Sequence, residues 1–254
     1  MKPLIVAQIT DCHLQNDPSQ DYRGRDVEQS LNAVVDDVLC QTPAAELILW
    51  TGDLVHHGAL NGYTRLHERL MGLPLPSYWI PGNHDDADLM RQRGGELNQR
   101  TVVQRGWAII LLDSTSEPDG QGGGSLASLE LDFLEQQLLL YKDYHCLIGL
   151  HHNPLPVDSE WQDSIMLANA GAFWRILASH QQVKGIVHGH VHQPGDCLHQ
   201  GVRVLMTPAS SVQFKARCRQ ITLEDSPMLE LPGYRLLQLY PDGRITTVVK
   251  RVAC

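Results

Sequence analysis

Five short polar segments of this chain each follow directly on a run of apolar residues. They are Asp11-Cys12-His13, Gly52-Asp53, Gly82-Asn83-His84-Asp85, His151-His152 and Gly189-His190-Val191-His192. The runs at 4–10, 47–51, 78–81, 108–113, 146–151, 185–188 and 202–206 are rich in Ile, Val and Leu and are expected as strands. Residues 27–40, 63–70, 126–141 and 170–180 carry apolar side chains at helical spacing and are expected as helices. Such alternation predicts an α/β fold with a partly parallel core. In an open α/β sheet, a site forms at the carboxyl ends of the strands, where all five segments fall. Near the C-terminus, 234–240 and 244–252 flank Pro241-Asp242-Gly243, which predicts a hairpin.

The chain has 254 residues, 43% of them hydrophobic, enough for one sizeable core. The expectation is a single domain, 1–254, with a C-terminal arm and hairpin region from about 212. With 19% charged residues, disorder is not expected. The formal net charge is -9 and no basic run occurs, which argues against nucleic acid or an anionic membrane as partner. No apolar stretch approaches the roughly 20 residues of a membrane span, and the first apolar run is too short for a signal sequence. A cytoplasmic protein is expected. Six cysteines without a Cys-x-x-Cys pair read as reduced thiols.

The polar segments carry the chemistry. In extended backbone Asp11 and His13 would point to one side, so an oxygen and an imidazole can reach one ion. Asp53 offers two oxygens and can bridge two ions; a turn or N-cap aspartate is the plain alternative. Asn83 offers a neutral oxygen, His84 a proton or a hydrogen bond, and Asp85 a partner to orient the His84 ring. A polar turn explains the same four residues, since Gly, Asn and Asp all form turns. Of His151 and His152, adjacent on a strand, at most one should face the site, the other being packed or solvent-exposed. His190 and His192 repeat the two-apart spacing. Together, oxygen and imidazole donors from five strand ends can enclose two cations with an open face, which suits hydrolysis of a phosphate ester.

In this order the motifs resemble the calcineurin-like metallophosphoesterases, whose pattern is Asp-x-His, Gly-Asp, Gly-Asn-His-Asp/Glu, His, Gly-His-x-His. The chain is further similar to the bacterial class III 3',5'-cyclic-nucleotide phosphodiesterases. That similarity runs through residues 8–14, Leu112-Asp113-Ser114, residues 151–156 with Trp161, and Asn169-Ala170-Gly171. It continues in Gln213-Phe214-Lys215, Pro232-Gly233-Tyr234-Arg235 and Asp242-Gly243.

The resemblance implies a four-layer αββα sandwich of two mixed sheets flanked by helices. It implies one metal held by Asp11, His13, Asp53 and His192, and a second by Asp53, Asn83, His151 and His190. The ions are expected to be Fe and/or Mn, with Zn an option. His13, Asp53, Asn83, His84 and His192 would meet the substrate, a small cyclic nucleotide. His84, backed by Asp85, would be catalytic, protonating the leaving oxygen as cyclic AMP opens to 5'-AMP. Cys12, His188 and Asn153 depart from the usual pattern, and Cys12 puts a soft thiol beside the ligands. A broader small-molecule phosphodiesterase, for instance of glycerophosphodiesters, and a non-catalytic interaction module are the rival readings. Residues 212–233 are open to either a substrate mouth or a homodimer contact.

Overall fold

The computed structural model describes residues 2–254. Two sheets form the middle of the molecule. The first, in the order β11-β10-β1-β2-β3, joins β1 (Leu4–Ile9), β2 (Leu47–Thr51) and β3 (Ser77–Ile80) in parallel. The hairpin β10 (Gly233–Leu239) and β11 (Ile245–Arg251) adds to it antiparallel, with Leu4 opposite Leu239. The second sheet has the order β4-β5-β6-β7-β9-β8. Its centre is parallel: β5 (Trp107–Leu111), β6 (His145–Gly149), β7 (Val183–His188) and β9 (Val202–Met206). Antiparallel β4 (Thr101–Gln104) and β8 (Gly195–His199) close its edges.

Strand periodicity explains the layers. On β1, Leu4 and Val6 face the second sheet and pack with Leu49, Ile109, Leu147 and Val187. Their neighbours Ile5, Ala7 and Ile9 face outward. There α1 (Val27–Leu39) and α2 (Leu60–Met71) cover them with Leu31, Val34, Val38, Tyr63 and Leu66. The Asp26 carboxylate caps α1 by accepting from the Gln29 N–H at 2.9 Å. The outer face of the second sheet, including Ala108, Ile110 and Ile148, is covered by α4 (Ser128–Leu140) and α6 (Ala170–Leu177). Both sheets are therefore buried on two faces, as near-continuous Ile, Val and Leu runs require. The order is helix, sheet, sheet, helix.

Several elements differ from the sequence reading. Edge strands β4 and β8 were not expected; β8 reads Gly-Asp-Cys-Leu-His, is largely exposed, and has no apolar run to betray it. Helix α3 (Ala87–Arg93) buries only Met90, too little for a periodic signal. The short α5 (Glu160–Asp163) is four residues long. Strand β6 ends at Gly149, so His151 lies in the loop beyond it and not on the strand.

One residue fastens the two sheets. Arg235 on β10 is 3% exposed and forms no ion pair among the described residues. Its guanidinium donates to Thr207 Oγ1 (3.2 Å), Thr247 Oγ1 (3.0 Å) and the carbonyls of Gly195 (2.9 Å) and Met206 (2.6 Å). Gln8 of β1 makes a second tie, donating to Thr51 Oγ1 and the His188 carbonyl and accepting from Thr207.

Candidate metal centre

The loops after β1, β2 and β3 bring Asp11, His13, Asp53, Asn83 and His84 to the same end of the molecule. The loops after β6 and β7 bring His151, His190 and His192 to meet them. Backbone hydrogen bonds hold the first two loops side by side: Asp11 N–H to Gly52 O, His13 N–H to Asp53 O, both 2.9 Å. The backbone here is not extended, contrary to the two-apart argument. Asp11, His13, Asp53, His190 and His192 all have φ between 50 and 68°. The left-handed conformation is unfavourable for residues with a Cβ and persists where the surroundings impose it, as at ligand clamps. Close approach also dictates the glycines. A Cβ on Gly52, whose φ is +91°, would strike the His151 ring, and one on Gly189 would strike Thr10 and Asp11.

Two clusters of donor atoms result. In the first, His192 Nε2 lies 3.2 Å from Asp11 Oδ1 and 3.3 Å from His13 Nε2, and His13 Nε2 lies 3.7 Å from Asp53 Oδ2. In the second, His151 Nε2 lies 3.1 Å from Asn83 Oδ1, 3.2 Å from His190 Nδ1 and 3.4 Å from Asp53 Oδ2. Donors placed about 2.1 Å from a common cation stand roughly 3.0–3.4 Å apart in octahedral or tetrahedral geometry. Five of the six spacings fall in that range, the sixth, from His13 to Asp53, is 0.3 Å longer, and Asp53 Oδ2 faces both clusters. The donor set therefore fits two metal ions sharing one carboxylate oxygen.

Hydrogen bonds on the far side of each ring fix which nitrogen is free. His192 Nδ1 donates to Val212 O (2.7 Å), His151 Nδ1 to Thr51 O (2.9 Å) and His190 Nε2 to Ile165 O (3.1 Å). The opposite nitrogen of each keeps its lone pair toward the clusters. Asp11 receives the His190 N–H at 3.1–3.2 Å and the Thr10 hydroxyl at 2.8 Å.

Burial penalises charge at Asp53, but the His151 and His13 imidazoles outweigh it and hold the carboxyl well below the usual range. Burial pushes His13 and His190 well below the usual imidazole range. At His151 burial acts the same way, but Asp53 overrides it and raises the group to about 9. A cation between the two would displace that proton.

His84 is half-buried at the rim. Its backbone N–H donates to Asp53 Oδ1 at 2.7 Å. A cavity of about 570 Å³ opens beside it, lined by His57, Asn83, His84, Asp86 and Thr115 among others. Asp85 does not orient the His84 ring, which corrects the sequence reading. Its carboxylate turns the other way and accepts from the N–H groups of Leu54, Val55 and Gly82 and from the Tyr63 hydroxyl. Four donors on that side leave the carboxylate no oxygen to spare, so Asp85 ties the β2 and β3 loops together.

His152 faces away from the clusters, as expected for one of two neighbours. It is buried, accepting from Ser114 Oγ (2.8 Å) and donating to Gly122 O (3.1 Å). Cys12 also points away, into the core beneath α1 and α2, 1% exposed, where burial pushes its thiol up to about 12. The soft thiol therefore lies outside the donor set. Sequence reasoning passed over His56, His57 and Tyr22. His56 Nδ1 lies 3.2 Å from His13 Nδ1, and the Tyr22 ring stacks on His13 at 4.3 Å. Two histidines three and four residues beyond Asp53 were a usable signal; Tyr22 gave none.

A four-layer α/β sandwich with two clusters of metal-binding donors that share one carboxylate at the ends of both sheets is the architecture of a binuclear phosphoesterase. Residues 4–194 match the calcineurin-like phosphoesterase family, and the chain belongs to it. The 3',5'-cyclic adenosine monophosphate phosphodiesterase CpdA of Pseudomonas aeruginosa is 34% identical over 251 residues, 98% of this chain and 90% of that protein. A 3',5'-cyclic-nucleotide phosphodiesterase of Nostoc sp. is 36% identical, covering 98% of this chain and 93% of its own. Among solved structures, a dimetal phosphatase from Danio rerio shares the fold with a TM-score of 0.70 over the full length of both chains, at 16% identity.

Proposed function

We propose that the protein is a binuclear phosphodiesterase that hydrolyses 3',5'-cyclic AMP to 5'-AMP. The observation that carries this is Asp53 Oδ2 lying 3.4 Å from His151 and 3.7 Å from His13, one oxygen common to two donor clusters. In this reading one ion takes Asp11, His13, Asp53 and His192, and the other takes Asp53, Asn83, His151 and His190. The nitrogen and oxygen donors, without thiolate, suit Mn or Fe, with Zn also accommodated. Bound ions would supply charge neutralisation and an activated water.

The chain's own residues do the rest. His13, Asp53, Asn83 and His192 surround the place where a phosphate meets the centre. His84 stands on the open side, where its ring can donate to a phosphate oxygen and protonate the departing sugar oxygen. Burial pushes His84 below the usual imidazole range. An anionic diester would raise it again, so the proton role belongs to the substrate complex. The cyclic-nucleotide relatives, which match over nearly the whole chain, favour a cyclic nucleotide over other diesters. Among the described residues no helix is long and apolar enough to cross a membrane.

The test is parallel hydrolysis of cyclic AMP, cyclic GMP, 2',3'-cyclic AMP and a glycerophosphodiester, with metal analysis of the purified protein. Preference for cyclic AMP is expected. Faster turnover of the glycerophosphodiester would replace this reading with the broader diesterase. Protein without metal or activity would return it to an interaction module. His84→Ala should retain metal and slow hydrolysis about 10²-fold or more; full activity on poor leaving groups would remove the acid role.

A further inference from the structure

His151, His190 and His192 each brace the far nitrogen of the ring on a backbone carbonyl. His13 is different: its Nδ1 meets a side chain, His56 Nδ1, at 3.2 Å. His13 Nε2 faces Asp53 and His192, so a His13 that binds a cation must keep its lone pair there and carry its proton on Nδ1. His56 Nδ1 is then the acceptor. Tyr22 stacks on His13 at 4.3 Å with 14° between the planes, so ring position and tautomer are both held from outside the cluster.

The same His56 ring lies against His84, with centroids 4.6 Å apart and planes 27° from parallel. No side-chain hydrogen bond to the His84 imidazole is present among the described residues, and Asp85 is engaged elsewhere. His56 thus touches one member of the donor set and the one histidine aimed at the leaving group. It reaches both because a left-handed His57, at φ 53°, turns the chain sharply just after it.

We propose that His56 is the positioning residue of this centre, fixing the tautomer of His13 through Nδ1 and the ring plane of His84 through its face. The inference rests on the proposed metal assignment and is independent of which diester is hydrolysed.

The two contacts separate by substitution. In His56→Asn the side-chain oxygen can stand near the place of Nδ1 and accept from His13, but the ring is gone. In His56→Phe the ring remains and the acceptor is gone. The full chain, stripped with chelator, is titrated with Mn²⁺, free Mn²⁺ being followed by electron paramagnetic resonance. His56→Phe should bind one of two ions about 10–100-fold more weakly, the range for lost partners of ligating histidines, while the other ion is held as in wild type. His56→Asn should bind both ions within about threefold of wild type. On an alkyl phosphodiester, whose alkoxide leaving group needs a proton, His56→Asn should lower kcat about tenfold or more with KM little changed, because His84 loses its support; on bis-p-nitrophenyl phosphate, whose leaving group needs none, the loss should be smaller.

His56→Ala removes both contacts without bulk and repeats the metal comparison if the Phe variant folds poorly. Equal Mn²⁺ affinity in wild type and in the Phe or Ala variant overturns the proposal. So does an Asn variant that loses metal as the Ala variant does, which would make His56 packing only. A wild type that binds two Mn²⁺ but spares every cyclic nucleotide would defeat the cyclic AMP reading and leave the metal comparison intact.

Discussion

The backbone N–H of His84 donates to Asp53 Oδ1 at 2.7 Å, which leaves Oδ2 as the oxygen presented to both donor clusters. A single carboxylate is thus divided between the loop after β3 and the two cation positions. Asp53→Asn should retain the hydrogen bond through its amide oxygen but would put a neutral group at the bridge. Elemental analysis should show less than two equivalents of metal, and activity should fall about 10²-fold or more, since the bridge supplies several kcal/mol of charge organisation. Two tightly held ions in the Asn variant would contradict the bridge.

Asp85 supports this arrangement from behind. Removing its carboxylate in Asp85→Ala strands three backbone N–H groups and the Tyr63 hydroxyl in a buried setting. Unpaired buried donors cost about 1–3 kcal/mol each before relaxation, so a loss of about 3 kcal/mol in urea unfolding is expected. Were Asp85 instead a partner of the His84 ring, the variant would show wild-type stability with reduced turnover.

Four of the seven proposed ligands come from the first sheet and three from the second, so the registration of the sheets sets the site. Arg235→Met should leave Thr207, Thr247 and the Gly195 and Met206 carbonyls without their shared donor. Denaturation should report a loss of about 2–4 kcal/mol. Arg235→Lys should rescue little of it, because one ammonium cannot serve four acceptors spread around a planar fork. A Lys variant as stable as wild type would show that charge alone matters there.

Cysteine reactivity gives a check on side-chain direction. Cys40, Cys197 and Cys254 are exposed and Cys218 is half-buried, whereas Cys12 and Cys146 are buried. A thiol reagent should modify the first four in native protein and the last two only after unfolding, as mass spectrometry of digests would show. Rapid native labelling of Cys12 would place its thiol beside the ligands after all.

Much of this molecule is legible in its residue order. The Ile, Val and Leu runs ending in Asp, Asn or His announce buried strands with polar ends, since a two-faced core tolerates polar groups only where a strand leaves it. Those ends alone single out Asp11, His13, Asp53, Asn83, His190 and His192 as candidate donors, whereas the choice of His151 over His152 and the division into two ligand sets rest on the family resemblance. Residues such as β8 and α3 were not legible, because an edge strand or a seven-residue helix that buries little leaves no periodic trace.

What the order of residues could not decide was direction. Asp11 and His13 converge through left-handed backbone and not through strand pleating, Asp85 turns toward three amides instead of toward His84, and His56 swings in beside it. Each outcome depends on which donors other loops, distant in the chain, deliver to the same few ångströms. Local patterning sets which residues reach the end of the sheets; only the packing of the two sheets determines which way each of them faces.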